Sequence, residues 1–485
     1  MKQSKFILLF IVSFVLITSS LQAQKTLLSI KGKIHCQGKG IAQVAVTDGV
    51  SIVETDSKGN YKLLASPASQ YVYYSLPAGY ESPIKEGIPV FFAPIQPTSK
   101  AQTIDFELTK AKLSQQKHTL IAWADPQVLE LEEFDLLNKV IDDVNATLAA
   151  LPADVPAHAI SLGDNVFDRL PFLENYKKAI SKIKIPFYQV IGNHDMDYNE
   201  RSNELSDKTF TAAMGPSHFS YNVGNVHYVV LKDVFYYGYS YRYIGYIDEA
   251  QLAWLEQDLQ KIKPGSTLIV SLHIPTVYGE SETSPDYNYL IASSVMNRSA
   301  LFKILAPFNT HILAGHSHTQ WNTAISENIS EHVHAAACAA WWQGELCTDG
   351  TPKGYTVYEI DGDKVSWYFK GVGFDKSEQF KLYPIGSDAQ NPDYFIANVF
   401  NYDAAWKVEW LENGELKGEM TQYWSIDPAA QNLYKPGSSK KFSWLRAGST
   451  HHLFKAKPVN ANAKISVRVT DRFNNVYTKD LIISN

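Results

Sequence analysis

At 485 residues, 45% of them hydrophobic and 19% charged, the chain reads as folded and globular and is too long for a single core, so two or three domains are expected. A formal net charge of −6 and the lack of any Lys/Arg run argue against a nucleic-acid partner. Three cysteines are too few for a disulfide framework; Cys338 and Cys347 are able either to pair in an oxidising compartment or to stay free, with Cys36 left over.

Residues 1–23 stand apart from the fold. Lys2 and Lys5 precede an apolar run from Phe6 to Ile17, followed by Thr18, Ser19, Ser20 and a small-residue stop at Ala23. This is the pattern of a cleaved secretory signal peptide, too short and wrongly flanked for a membrane span. Its removal takes the formal charge from −6 to −8. A secreted or periplasmic protein with no membrane span after cleavage is therefore expected.

Residues 24–111 alternate short strands with turns, among them Asp48-Gly49 and Lys58 to Asn60, and predict an N-terminal β-sandwich. Residues 112–325 change texture to alternating strands and helices. His118 to Asp125 is a buried strand, and Leu131 to Leu151 carries apolar residues at helical spacing. A strand ending at Asp164 follows, then a helix over Leu170 to Ile183, a strand ending at Val190, and a hairpin turning at Gly224-Asn225. A helix over Asp248 to Ile262, a strand ending at His273, a helix from Arg298 to Phe308 and a strand running into Gly315 complete the series. This is an α/β layered domain. From about Thr323 the helical period disappears, and residues 326–485 predict a C-terminal β-rich sandwich, with an Asn-Gly hairpin turn inside Lys407 to Met420.

Within the α/β domain five strands end in residues able to hold a metal. They are Asp125 and Gln127; Asp164 and Asp168; Asn193 and His194; His273; and His316 and His318. Parallel strands bring their carboxyl ends to one edge, so these residues are expected to meet in one crevice. A ligand set of oxygen and nitrogen without thiolate suits Mn, Fe or Zn in a reactive site rather than a structural zinc site. Each residue also has a plain alternative, such as a helix cap for Asp164 or a satisfied core histidine for His273; five coincident strand ends outweigh it.

The ordered motifs Asp-x-Gln, Gly-Asp, Gly-Asn-His-Asp, a lone His and Gly-His-x-His resemble the calcineurin-like metallophosphoesterases over roughly Thr119 to Gln320. The flanking sandwiches and the stretch Trp341 to Tyr355 resemble the secreted bacterial branch with companion domains at both ends. The resemblance implies a layered α/β/β/α core and two divalent metals bridged by Asp164. Asp125, Gln127 and His318 would complete one metal; Asn193, His273 and His316 would complete the other. It further implies hydrolysis of a small phosphate ester by a hydroxide bridging the metals, with His194 not a ligand but either a hydrogen-bond partner of the substrate phosphate or the proton donor to the leaving oxygen.

Two positions depart from the family pattern. Gln127 stands where many members have His, which lowers the expected affinity of that metal and places Gln127 either in contact with it or just outside. The acidic partner of His194 is expected three residues after Asp164, where Phe167 stands; Asp168 comes one later and is the candidate to orient His194. Phe167 also occupies the position of the tyrosine ligand of the purple branch, so no charge-transfer colour is expected. Asp195, Asp197 and Tyr198 follow the Gly-Asn-His motif, and Trp341, Trp342 and Tyr355 either wall the crevice or belong to the core. The competing class is a non-catalytic surface protein that binds metal or carbohydrate through a decayed site.

Overall fold

The computed structural model describes residues 27–277, 287–438, 440–460 and 463–481, and the expected signal peptide lies outside them. At the centre are two sheets. One has five strands in the order Phe187–Gln189, Ala157–Ser161, Lys117–Trp123, Gly354–Asp361, Lys364–Gly371. Its first three strands are parallel, and the last two join antiparallel. The other has six strands in the order Phe219–Val223, Val226–Val230, Thr267–Ser271, Asn309–Ala314, Ile329–Val333, Trp321–Ala324.

Side-chain alternation separates the two faces of each sheet. Leu120, Ala122, Ile160 and Tyr188 of the first sheet share an apolar cluster with Tyr228, Val230, Ile269 and Leu313 of the second. The opposite residues, Ile121, Trp123, Ala159, Phe187, Leu268 and Val270, pack instead with the helices. Those helices are Glu133–Ala149, Leu173–Ile180, Glu249–Leu259 and Arg298–Leu305, whose buried stripes include Leu137, Val140, Ile141 and Val144, Tyr176 and Ile180, Trp254 and Leu255, and Leu301 and Leu305. Helices cover the outer faces of two packed sheets, the α/β/β/α layering expected of the resemblance.

The N-terminal region forms a five-stranded and a four-stranded sheet. It is tied to the core by Tyr71 Oη to Thr211 O (3.0 Å), Tyr73 Oη to His218 O (2.9 Å) and Trp254 Nε1 to Thr47 Oγ1 (3.2 Å). The C-terminal region pairs two four-stranded sheets around Phe395, Trp406, Trp410, Phe454 and Val467. One correction to the sequence reading follows from the pairing. Ile329–Val333 and the hairpin Gly354–Gly371, read as part of the closing sandwich, are hydrogen-bonded into the two central sheets. Lys117–Trp123 lies beside Gly354–Asp361, an antiparallel neighbour that no local pattern announces. Cys338 and Cys347 do not pair; both thiols are free and buried. Among the described residues no helix is long and apolar enough to cross a membrane.

Candidate metal centre

Every candidate ligand lies within a few residues of the carboxyl end of a core strand. Asp125 follows Trp123, Asp164 follows Ser161, Asn193 follows Gln189, His273 follows Ser271, and His316 and His318 follow Ala314. The turns that hold them are unusual. Asp125, Gln127, Asp164, Asp168, His316 and His318 all have φ between 39° and 72°, a region that non-glycine residues enter at a cost. Glycine is required beside them: a Cβ on Gly192 would sit 2.1 Å from Asp164 N and Oδ1, and one on Gly163 would sit 2.5 Å from His273 Nδ1.

These loops bring all seven expected ligands together. Asp164 Oδ1 lies 3.3 Å from His273 Nε2, and its Oδ2 accepts Gln127 Nε2 at 2.6 Å. His273 Nε2 is 3.0 Å from Asn193 Oδ1 and 3.2 Å from His316 Nδ1. Asp125 accepts the backbone N–H of His316 at 2.9 Å, and its Oδ1 lies 3.7 Å from His318 Nε2. Donor atoms of Asp164, His273 and His316 fall within 4.8 Å of one another, close enough to share one cation.

His273 and His318 each have one ring nitrogen held by a backbone carbonyl and the other turned to the centre. His273 Nδ1 contacts Leu162 O at 2.8 Å and His318 Nδ1 contacts Ala339 O at 2.7 Å, an arrangement that directs the Nε2 lone pairs inward. His318 Nε2 and Gln127 Oε1 are buried with no hydrogen-bond partner. Buried acceptors left orphaned on side chains beside Asp164 and Asp125 fit a cation, because leaving them unsatisfied costs desolvation with nothing in return.

The electrostatics agree. Burial opposes ionisation of Asp164, but the imidazoles of His273 and His194 hold its carboxyl well below the usual carboxylate range. Burial works against protonation of His273, yet Asp164 beside it pushes the imidazole up to about 10. Burial, followed by the charge of His273, brings His316 down to about 3, and burial lowers His318 to about 4. Burial pushes Asp125 up to about 8, against the pull of His273. The pocket thus demands positive charge, which a proton on His273 meets when no metal is bound, and keeps two imidazoles neutral as ligands must be.

His194 and Asp168 stand at the mouth of this cluster. His194 donates its backbone N–H to Asp164 Oδ1 at 2.8 Å, and its Nδ1 meets Asp168 Oδ1 at 2.9 Å. Burial lowers its basicity, but Asp164 and Asp168 more than offset this and raise its pKa above the ordinary histidine value. With 22% of the side chain exposed, His194 is open to the crevice, whereas Asp164, at 1%, is sealed.

Residues outside the expected set complete the site. Phe167 stacks on His194, with centroids 4.1 Å apart and planes 22° apart. Asp233 accepts the backbone N–H groups of His273 and Ile274, which fixes the loop carrying His273. Asp195 holds the Gly192 turn by accepting from Gly192 N, Asn165 N and Val166 N, a structural rather than a substrate-facing role. Asp197 accepts Thr209 N and Oγ1, and Tyr198 presents a buried hydroxyl without a partner. The aromatic trio divides. Trp341 stacks on His318 at 4.1 Å, Trp342 donates to Pro126 O, and Tyr355 is a core residue bonded to Asp143 and Thr147. No sequence signal pointed to Asp233; its aspartate follows a strand with no glycine or histidine beside it.

Residues 121–320 match the family model described as calcineurin-like phosphoesterase. Residues 28–111 and 331–477 match the models of the N-terminal and C-terminal regions of calcineurin-like phosphoesterase. Among curated proteins none matches the chain in sequence. Solved structures that it resembles include a dimetal phosphatase from Danio rerio, 14% identical, covering 52% of this chain and 96% of that one with a TM-score of 0.38. Another is a purple acid phosphatase from seeds of yellow lupin, Lupinus luteus, 11% identical, covering 68% of this chain and 67% of that one with a TM-score of 0.40. The family match, and not these distant likenesses, carries the assignment.

Proposed function

The chain belongs to the calcineurin-like phosphoesterase family, metal-dependent hydrolases of phosphoric esters, and from that premise we propose an exported enzyme that holds two divalent cations (Mn, Fe or Zn) and cleaves a small phosphate ester by direct attack of water. Asp125, Gln127 and His318 would hold one cation, Asn193, His273 and His316 the other, with Asp164 shared between them. When bound, such a pair supplies positive charge to the phosphoryl oxygens and acidifies a water to make the nucleophile. The chain's own residues do the rest. Asp164, kept ionised by its neighbours, holds the two halves of the site together. The contact of His194 Nδ1 with Asp168 holds the ring in place, and the Asp168 carboxylate beside it favours the protonated imidazole that would deliver a proton to the leaving oxygen. Phe167, stacked on that ring, restricts its rotation and shields one face from water.

The observation that carries this reading is the pair of orphaned acceptors, Gln127 Oε1 and His318 Nε2, beside the cluster of Asp164, His273 and His316. The test is reconstitution with Mn, Zn or Fe followed by assay on p-nitrophenyl phosphate and bis-p-nitrophenyl phosphate. Hydrolysis that depends on metal is expected, and the preferred ester separates a phosphatase from a phosphodiesterase. Metal uptake with both esters untouched would favour the non-catalytic surface protein. Export rests on the pattern of residues 1–23, and the mature N-terminus is expected at Gln24.

A further inference from the structure

An arc of aromatic rings joins the two ends of the candidate site, and its middle comes from the C-terminal region. Phe167, stacked on His194, lies 5.9 Å from Phe442. Phe442 lies 5.1 Å from Trp444 with planes 26° apart, and Trp444 meets Trp341 edge-on at 4.6 Å. Trp341 in turn stacks on His318. The arc therefore starts on the proton donor and ends on a candidate ligand.

The segment bearing Phe442 and Trp444 is fixed in place. Leu445 is buried in a cluster with Ala340, Ala430 and Tyr434, the backbone N–H of Lys441 donates to Gln343, and Lys441 Nζ reaches Glu133 Oε1 at 2.5 Å on the first core helix. Trp444 nonetheless leaves 52% of its surface exposed, a high value for an indole so well anchored. Trp341 and Trp342 have φ of 54° and 59°, so the backbone at the inner end of the arc is strained, as functional segments often are.

We propose that Phe442 and Trp444 form the leaving-group wall of the crevice and select phosphate esters whose leaving alcohol carries a ring able to stack on them. The inference rests on the phosphoesterase reading. In that reading the leaving oxygen departs toward His194, so the group attached to it meets the rings that begin on His194. Indole and phenyl faces held rigid bind a flat ring or the C–H face of a sugar with little loss of side-chain freedom. Aryl and sugar rings share this chemistry, and the substrates of the test distinguish them.

The test compares the intact, metal-loaded protein with its Trp444→Ala, Phe442→Leu and Trp444→Tyr variants on p-nitrophenyl phosphate, glucose 6-phosphate and glycerol 2-phosphate. For Trp444→Ala and Phe442→Leu, kcat/KM on one or both ring-bearing esters is expected to fall about fivefold or more, chiefly through KM, the scale of one aromatic stacking contact. Glycerol 2-phosphate, which has no ring, is expected to hold within about twofold, and Trp444→Tyr to retain most of the ring preference. The ester with the larger loss identifies an aryl or a sugar ring. Equal losses on all three esters would mark a merely structural role and overturn the inference, as would no loss on any. Failure of the unmodified, metal-loaded protein to cleave any ester would instead overturn the phosphoesterase reading beneath it.

Discussion

Replacing Asp164 by asparagine removes one charge from the middle of the site while keeping nearly the same shape. The side chain is 1% exposed and lies 3.3 Å from His273 Nε2. At an effective dielectric of about 20, unit charges at that separation interact by about 5 kcal/mol, or between three and four orders of magnitude in an equilibrium constant. A cation seated where that imidazole proton sits would lose a term of at least this size, and a shared carboxylate loses it for both cations. The Asp164→Asn protein is therefore expected to retain less than one equivalent of metal after dialysis, measured by inductively coupled plasma mass spectrometry, with hydrolysis of p-nitrophenyl phosphate reduced by about a thousandfold or more. The same substitution has a signature without metal. Asp164 is the main cause of the rise of His273 to about 10, so in the metal-free variant His273 titrates far lower by NMR. Two equivalents of metal, activity within tenfold of the unmodified protein, or an unmoved His273 would each refute the reasoning.

Three other substitutions probe separate parts of the account. His194→Ala is expected to keep its metal but lose about 10²- to 10⁴-fold in turnover, the usual contribution of a general acid, and the loss should be least for esters with good leaving groups; an equal loss across leaving groups would remove the proton-donor role. Asp168 helps raise the pKa of His194, and a donor must be protonated, so activity falls as pH rises through that pKa. Asp168→Asn lowers it and should move the alkaline limb of kcat toward lower pH, whereas an unmoved pH profile would deny the pairing. Gln127→His replaces a weak neutral oxygen by imidazole and should slow metal loss to a chelator; unchanged retention would place Gln127 outside direct contact with the metal.

Much of this site was legible because its chemistry is local in the chain. Asp125, Asp164, Asn193, His273, His316 and His318 each lie just beyond an apolar run that reads as a strand; parallel pairing carries the first three to the edge of one sheet and the last three to the edge of the other, and the packing of the two sheets, which the expectation of a single sheet missed, sets those edges side by side. The contact of His194 with Asp168 was also within reach, although the spacing departs by one residue from the family pattern; Asp168 makes it from a left-handed backbone conformation. What stayed hidden depends on chain return. Nothing near Gly354–Asp361 reveals that it pairs with Lys117–Trp123, so the core lost its last strands to the neighbouring sandwich in the sequence reading. Phe442 and Trp444 lie more than a hundred residues beyond His318, and the packing of Leu445 with Ala340, Ala430 and Tyr434, together with the contacts of Lys441, sets them beside Phe167 and Trp341. The thiols of Cys338 and Cys347 share one small buried cluster, yet sequence separation alone cannot say whether two sulfurs meet.

Diffraction from crystals grown with Mn²⁺, recorded at the manganese edge, addresses the central claim without relying on turnover. Two anomalous peaks about 3.5–4 Å apart are expected, one against Asp125 and His318, the other against Asn193, His273 and His316, with the Asp164 carboxylate between them. A single peak, or peaks away from these side chains, would contradict the two-cation centre.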